Sequence, residues 1–266
     1  MKYLIAIDID GTLVQSDGKL SKENVETIHK INALGHKVVL ATGRTVSGAL
    51  SIHETLELGT PIIANNGATV IHPLDTSFDP YRNLITTDVI HNLFRKTQPF
   101  IKSAYYSVDD VTYAYNYNEE IEMSFNGVKS TKIYDDELTR FNHDASVVVF
   151  LIDPRYENSF LKELSLFEKL SYRIWEKNER FILCEVYDKK MSKYQGIKIV
   201  QAYLNMENNP VIAFGDNYND IEMLSSVTLG IAVANAPLDV KVNAKRVSLF
   251  TNDEHVISKE LTKLFL

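Results

Sequence analysis

Among 266 residues there is one cysteine, Cys184, so no disulfide can close within the chain and a reducing compartment is expected. No apolar stretch is long enough to span a bilayer. Met1-Lys2 leads straight into a short strand-like run rather than a secretory hydrophobic region. The histidines (His29, His36, His53, His72, His91, His143 and His255) have no close metal-binding spacing, which leaves zinc unsupported. A Walker A glycine-lysine loop is missing, as is a dinucleotide-binding glycine fingerprint after the first strand, so nucleotide-driven and redox chemistry both recede. Positive charge is scarce: 28 Lys and Arg against 35 Asp and Glu give a net charge of −7, which argues against broad nucleic-acid binding. With 45% hydrophobic and 24% charged residues, neither disorder nor a collagen-like chain fits. A soluble, cytoplasmic protein with a buried core is the expectation.

What is present has a regular grammar. Tyr3 to Ile9 is a nearly continuous apolar run, the mark of a strand covered on both faces. Val25, Ile28, Ile31 and Leu34 then recur at helical spacing and stop at Gly35. Val38-Val39-Leu40, a helix over 45–58 and Pro61-Ile62-Ile63-Ala64 continue a strand–helix alternation that predicts a mostly parallel α/β sheet. Near residue 80 the pattern changes to Tyr-rich alternating strands, a helix opened by Asp153-Pro154, and a hairpin around residues 177–180. After residue 190 the first grammar returns: a helix over 194–204, the strand Val211 to Phe214, and a capping box at Thr251–Glu254 before a terminal helix. One α/β domain, 1–83 and 187–266, interrupted by an inserted α+β domain at 84–186, accounts for the whole.

Three clusters carry chemistry. Asp8-Ile9-Asp10-Gly11-Thr12-Leu13 closes the first strand, and two carboxylates two residues apart project the same way from an extended backbone. A polar turn would use such a pair too, but neighbouring carboxylates are costly unless a metal or phosphate site needs them. After the second strand, Thr42-Gly43-Arg44 sets a hydroxyl, a flexible backbone and a cation where phosphate oxygens could be held; Thr42 could equally be a helix cap. Beyond Phe214 comes Gly215-Asp216-Asn217-Tyr218-Asn219-Asp220, an oxygen-rich run suited to a hard cation. Lys193 adds a cationic group at a helix start.

Taken together, these motifs resemble the haloacid dehalogenase-like (HAD) hydrolase superfamily, and more narrowly its Cof-type phosphatases with a large inserted cap. Asp8-Ile-Asp-Gly-Thr-Leu is similar to the first motif of that family, Thr42-Gly-Arg to the second, Lys193 to the third and Gly215-Asp-Asn-Tyr-Asn-Asp to the fourth; Asn65-Asn66-Gly67 and Thr251-Asn-Asp-Glu also resemble recurrent core segments. The resemblance implies a Rossmann-like core and Asp8 as a nucleophile that forms an aspartyl phosphate. Asp10 would be the acid that protonates the leaving oxygen and then helps activate water. Mg²⁺ would be held by the Asp8 carboxylate, the Asp10 carbonyl and Asp216, with Asp220 supporting that shell. Thr42, Gly43, Lys193 and Asn219 would bind the phosphoryl group, and Arg44 and Asn126 are possible contacts for the rest of the substrate. The implied partner is a small phosphorylated metabolite, with no nucleic acid and no membrane; monomer and homodimer both stay open.

Asp10 favours phosphate-ester cleavage over dehalogenation, since a dehalogenase needs no acid for an alkoxide. Sugar phosphates lead as substrates, with pyridoxal phosphate and flavin mononucleotide as further options. A sugar phosphomutase and a non-catalytic phosphometabolite-binding protein are the alternatives. Three departures from the family pattern bear on loop geometry: Tyr194 after the lysine and Ala234 before Asn235, both where glycine is usual, and His255 where glycine is common. The inserted domain is expected to act as a cap that contacts the leaving group. Its tyrosines (Tyr105, Tyr106, Tyr113, Tyr115 and Tyr117) are expected mainly as packing residues, as are Cys184 and Trp175.

Overall fold

Leu4-Ile5-Ala6-Ile7 is fully buried, as a strand sandwiched between helical layers must be, and forms β1 (Leu4–Ile7). This description comes from a computed structural model covering residues 1–108, 111–118, 131–135 and 138–266. The helix Lys22–Ala33 follows, capped by Ser21, whose hydroxyl accepts the Asn24 N–H, and ended by Gly35 at φ 84°. Its buried face differs from the apolar stripe read in the sequence. Leu34 is largely exposed, whereas Asn24 and Thr27 turn inward. The reason is polar pairing: Asn24 donates to the Leu13 carbonyl and accepts from the Ser258 N–H, and Thr27 bonds the Ser258 hydroxyl. Next come β2 (Lys37–Ala41), the helix Val46–Thr55 capped by Thr45, β3 (Ile62–Ala64), β4 (Thr69–Ile71) and β5 (Tyr81–Arg82).

The chain then builds a separate unit, Asn83–Lys190. After the helix Thr87–Thr97 come β6 (Ile101–Val108), β7 (Val111–Tyr115), β8 (Thr131–Asp135) and β9 (Val147–Ile152). A short turn opened by Asp153-Pro154 leads into the helix Glu157–Leu164, then β10 (Leu170–Lys177) and β11 (Ile182–Asp188). The six strands run in the order β10-β11-β9-β6-β7-β8, antiparallel except for the parallel pair β7–β8. The tyrosines read as packing residues do pack: Tyr106 stacks on Tyr113 at 5.4 Å, and Tyr115 meets Phe94 edge-on at 4.8 Å. Cys184 is buried in the same core, and burial pushes its thiol up to about 12, so it is inert. Trp175, expected in packing, lies instead partly exposed, donating to Glu185 under the Arg173 guanidinium. Asn126 lies outside the described residues.

The remaining chain, Met191–Leu266, rejoins Met1–Arg82 in one unit. It supplies the helix Lys193–Tyr203, β12 (Val211–Gly215), β13 (Leu229–Ala232), β14 (Arg246–Val247) and the helix Val256–Phe265. The eight-stranded sheet has the order β14-β13-β12-β1-β2-β3-β4-β5; it is parallel from β14 to β3, and the pairs β3–β4 and β4–β5 are antiparallel. β1 lies between β2 and β12, with Ile7 opposite both Leu40 and Phe214. The chain therefore leaves β1 to opposite sides of the sheet in its two halves, and loops after β1, β2, β3 and β12 meet at one edge. That edge is where open α/β sheets place ligands. Among the described residues, no helix is long and apolar enough to cross a membrane.

Candidate active site

Asp8 follows the last residue of β1, and its N–H continues the ladder by donating to the Phe214 carbonyl at 3.0 Å. The chain then bends. Asp10 at φ −79°, ψ 127° and Gly11 at φ 72°, ψ 0° make a type II turn, whose second corner favours glycine. A side chain on Gly11 would also collide with the Asp216 carboxylate, so this turn and the loop after β12 lie in close apposition. Thr12, fully buried, donates its hydroxyl to Asp216 Oδ1 at 3.1 Å.

Lys193 is the first residue of its helix, placed by the Ser192 cap. Its ammonium is wholly buried and donates to Asp8 Oδ1 and to Asp220 Oδ1, each at 2.6 Å. Asp220 has little capacity left: its Oδ2 accepts the N–H groups of Asp216 and Asn217 at 2.9 and 3.0 Å. It therefore fixes both the lysine and the backbone of the Asp216 loop. Burial alone would discharge Lys193, yet Asp220 and Asp8 outweigh it and hold the amine above its ordinary range. Burial drives the Asp8 carboxyl upward; Lys193 opposes that shift, and Asp220 and Asp216 add to it. Asp216 is raised to about 6 by burial and by the neighbouring Asp220.

This charge balance tests the implied cation. Asp8, Asp216 and Asp220 bring one oxygen each within 4.8 Å of one another, with a single ammonium among them. One positive charge cannot neutralise three carboxylates, and oxygen donors so gathered suit a hard divalent ion. The residues fit Mg²⁺.

Asp10 points differently. It is largely exposed and binds Arg44 by two bonds, Nε to Oδ2 at 2.8 Å and NH2 to Oδ1 at 2.6 Å. Thr42 is buried, and its hydroxyl accepts the Arg44 N–H at 3.0 Å, while Thr45 is the residue that caps the following helix. Asp8, Asp10, Gly43, Arg44, Asn217 and Asn219 surround a cavity of about 280 Å³. Every proposed core residue thus lies at this edge.

Sequence reasoning did not assign roles to three further groups. Asn66, left-handed at φ 56°, accepts from the Asn219 amide at 2.8 Å and so holds Asn219 against the cavity. Gly67 sits at φ 92° with the Ser192 carbonyl where a side chain would start, so it lets the Lys193 helix dock. Asn235 donates to the Gly11 carbonyl at 2.8 Å and accepts from the Asn252 N–H at 3.1 Å, bracing the acidic turn from behind. Asn65-Asn66-Gly67 does carry a signal, because such residues mark left-handed backbone. His255, flagged by the missing glycine, indeed takes φ 61°.

The haloacid dehalogenase-like hydrolase family matches residues 5–261. The 5-amino-6-(5-phospho-D-ribitylamino)uracil phosphatase YitU of Bacillus subtilis (strain 168) is 31% identical over 269 residues, covering 99% of this chain and 97% of that protein. Phosphatase YwpJ of the same organism is 29% identical over 297 residues, covering 98% and 99%. Among solved structures, a haloacid dehalogenase-like hydrolase from Bacteroides thetaiotaomicron superposes with a TM-score of 0.78 at 25% identity over the full length of both chains. The HAD subclass IIB sugar phosphatase BT4131 reaches 0.79 at 20% identity, covering 99% of each chain, a likeness of fold.

Proposed function

Because the chain belongs to the haloacid dehalogenase-like hydrolases and is a phosphatase, we propose that it hydrolyses a small-metabolite phosphomonoester, foremost a sugar phosphate, with Mg²⁺ and through an aspartyl phosphate on Asp8. The observation that carries the reading is the buried bridge of Lys193 between Asp8 and Asp220, which positions a carboxylate and a cation at one point. Asp8 and Asp216, with the Asp10 carbonyl, would hold Mg²⁺. When bound, the ion offsets the negative charge of the phosphoryl group.

Asp8 attacks phosphorus, so that its oxygen–phosphorus bond forms as the bond to the leaving oxygen breaks. Lys193, fixed by Asp220, neutralises the phosphoryl oxygens as charge moves. Thr42, Gly43 and Asn219 line or border the receiving cavity. Asp10 hands a proton to the leaving oxygen, then takes one from the water that attacks phosphorus, which returns Asp8 and releases inorganic phosphate. Arg44 holds the Asp10 carboxylate in the structure, so that ion pair has to part before Asp10 can carry a proton. The name of YitU includes a phosphoribityl group, which places acyclic sugar-alcohol phosphates among the substrates to assay.

The test is phosphate release from a sugar-phosphate panel by the purified protein with Mg²⁺. Turnover is expected to vanish in Asp8→Asn and on chelation. Persistent turnover in a clean Asp8→Ala preparation overturns the covalent route.

A further inference from the structure

Asn219 borders the cavity in an orientation that costs it a hydrogen bond. Its Oδ1 is buried and meets no donor, and an acceptor shut away from water without a partner is destabilising. Among the described residues, what offsets that cost is the 2.8 Å bond that the Asn219 amide donates to Asn66 Oδ1. Without it the side chain would gain by turning its oxygen toward water, and the amide would leave its place. Asn66 is 7% exposed and is not among the residues that line the cavity, so its influence on a bound ligand passes through Asn219.

The acceptor is itself held firmly. The Asn65 N–H donates to the Arg44 carbonyl and the Asn66 N–H to the Thr42 carbonyl, each at 2.9 Å, so the turn is tied to the loop after β2. Gly43 makes the approach possible: a Cβ there would lie 3.2 Å from Asn66 Oδ1 and 3.6 Å from Asn219 Nδ2. Gly67, next in the turn, leaves the room that the Ser192 carbonyl and the Lys193 nitrogen occupy. The turn at Asn65–Gly67 therefore joins the segments of Thr42, Lys193 and Asn219, which come from distant parts of the chain. Such a junction aims the Asn219 amide before any ligand arrives, and a donor aimed in advance loses least on binding. Its bond to Asn66 uses one amide hydrogen and leaves the other for a phosphoryl oxygen.

We propose, on the basis of the phosphatase reading above, that Asn66 is a positioning residue, which sets the affinity for the substrate phosphoryl group and for the orthophosphate product through Asn219. Ester and product share that contact, so its loss raises KM more than it lowers kcat. The test measures steady-state kinetics on phenyl phosphate and, by isothermal titration calorimetry with Mg²⁺, orthophosphate binding. Asn66→Gly is the informative variant, because glycine takes a φ of 56° without strain and only the acceptor is lost. It should weaken orthophosphate about tenfold, the low end for one hydrogen bond to a charged group, and raise KM by a like factor. The change in kcat should stay within about threefold. In an Asn219→Ala background the same substitution should alter orthophosphate affinity by less than about twofold, because nothing is left for Asn66 to hold. A purely structural role predicts instead that the two losses multiply. If Asn66→Gly leaves KM and orthophosphate affinity within about twofold of the unsubstituted protein, or if the losses multiply, the positioning role is overturned and the phosphatase reading stands. If the unsubstituted protein hydrolyses no ester and binds no orthophosphate, both fall.

Discussion

Lys193→Met deletes the buried ammonium while keeping most of the side-chain volume, which separates charge from packing. The amine donates to Asp8 and Asp220 at 2.6 Å, and both the Lys193 and Asp220 side chains are 0% exposed. Removing one partner of a buried ion pair costs about 3–5 kcal/mol, because the remaining charge is left uncompensated. Here two carboxylates lose the same partner, so the upper part of that range is expected. At roughly 2–4 °C per kcal/mol for a domain of this size, the unfolding midpoint should fall by roughly 10–20 °C. Phosphate release should drop by a factor on the order of 10³, the upper end seen for loss of one charge-stabilising donor. Adding Asp220→Asn removes one orphaned carboxylate while leaving an oxygen for the Asp216 and Asn217 N–H groups. The double variant should therefore recover part of the stability and none of the turnover. Thermal unfolding followed by circular dichroism, in excess EDTA so that metal does not mask the effect, reads the first quantity; phosphate release with Mg²⁺ reads the second. The reasoning fails if Lys193→Met melts within about 2 °C of the parent, less than 1 kcal/mol on that scale. It fails equally if the double variant loses the sum of the two single losses, because additivity means the residues are uncoupled.

Two other predictions test the scaffold. Gly67→Ala puts a methyl group against the Ser192 carbonyl at a left-handed φ, so it should cost about 1–3 kcal/mol and lower kcat by shifting Lys193. Gly59→Ala, which meets nothing within 4 Å, should leave melting and kcat unchanged, and the comparison is made by thermal unfolding and steady-state kinetics. The second concerns pH. Burial holds His36 and His53 below their ordinary value of 6.5, and the His53 ring also bonds the Thr60 carbonyl at 2.8 Å. At these two sites the unfolded chain then binds more protons than the folded one below pH 6.5, so their contribution to stability is fully present above that value and falls as pH drops through it. Because the raised carboxyls of Asp8 and Asp216 act in the opposite sense over the same range, the readout is the difference between the unfolding midpoints of the parent and His53→Gln from about pH 8 to about pH 5. It should move against the parent on the acid side, and a difference that moves in the parent's favour on acidification refutes the assignment.

The strand ends were readable because buried parallel strands write themselves as apolar runs, and the residue after such a run must emerge at the ligand edge. Asp8, Thr42 and Asp216 are found that way. Asn235 and Gly67 were not, since their roles depend on partners far along the chain, Gly11 in one case and Ser192 in the other. The Arg44–Asp10 pair escaped for the same reason: spacing reveals two functional side chains but not that they bind one another. Periodicity also misplaced part of the first helix, because buried Asn24 and Thr27 look like surface residues until Leu13 and Ser258 supply their bonds. β14 is only two residues long, Arg246–Val247, and Ser248 beyond it turns its hydroxyl to Glu260. Parallel pairing of β7 with β8 left no mark in the sequence, since direction depends on the crossover and not on the residues of either strand.

The placement of β1 between β2 and β12 also has a kinetic side. Lys193 reaches Asp8 across 185 positions, so the reactive centre cannot exist until late in synthesis. Until residues 211–215 emerge, one side of β1 is an unpaired, wholly apolar edge of the kind that recruits other chains. The intervening unit eases the search. Asn83 bonds Asp188 at 3.3 Å, so once Asn83–Lys190 has folded its two ends are neighbours and the open span more than halves, worth about 0.6 kcal/mol or slightly more in closure entropy. Lesions that slow the folding of that unit should therefore reduce soluble yield even where they touch no residue of the reactive edge, because they prolong the exposure of β1.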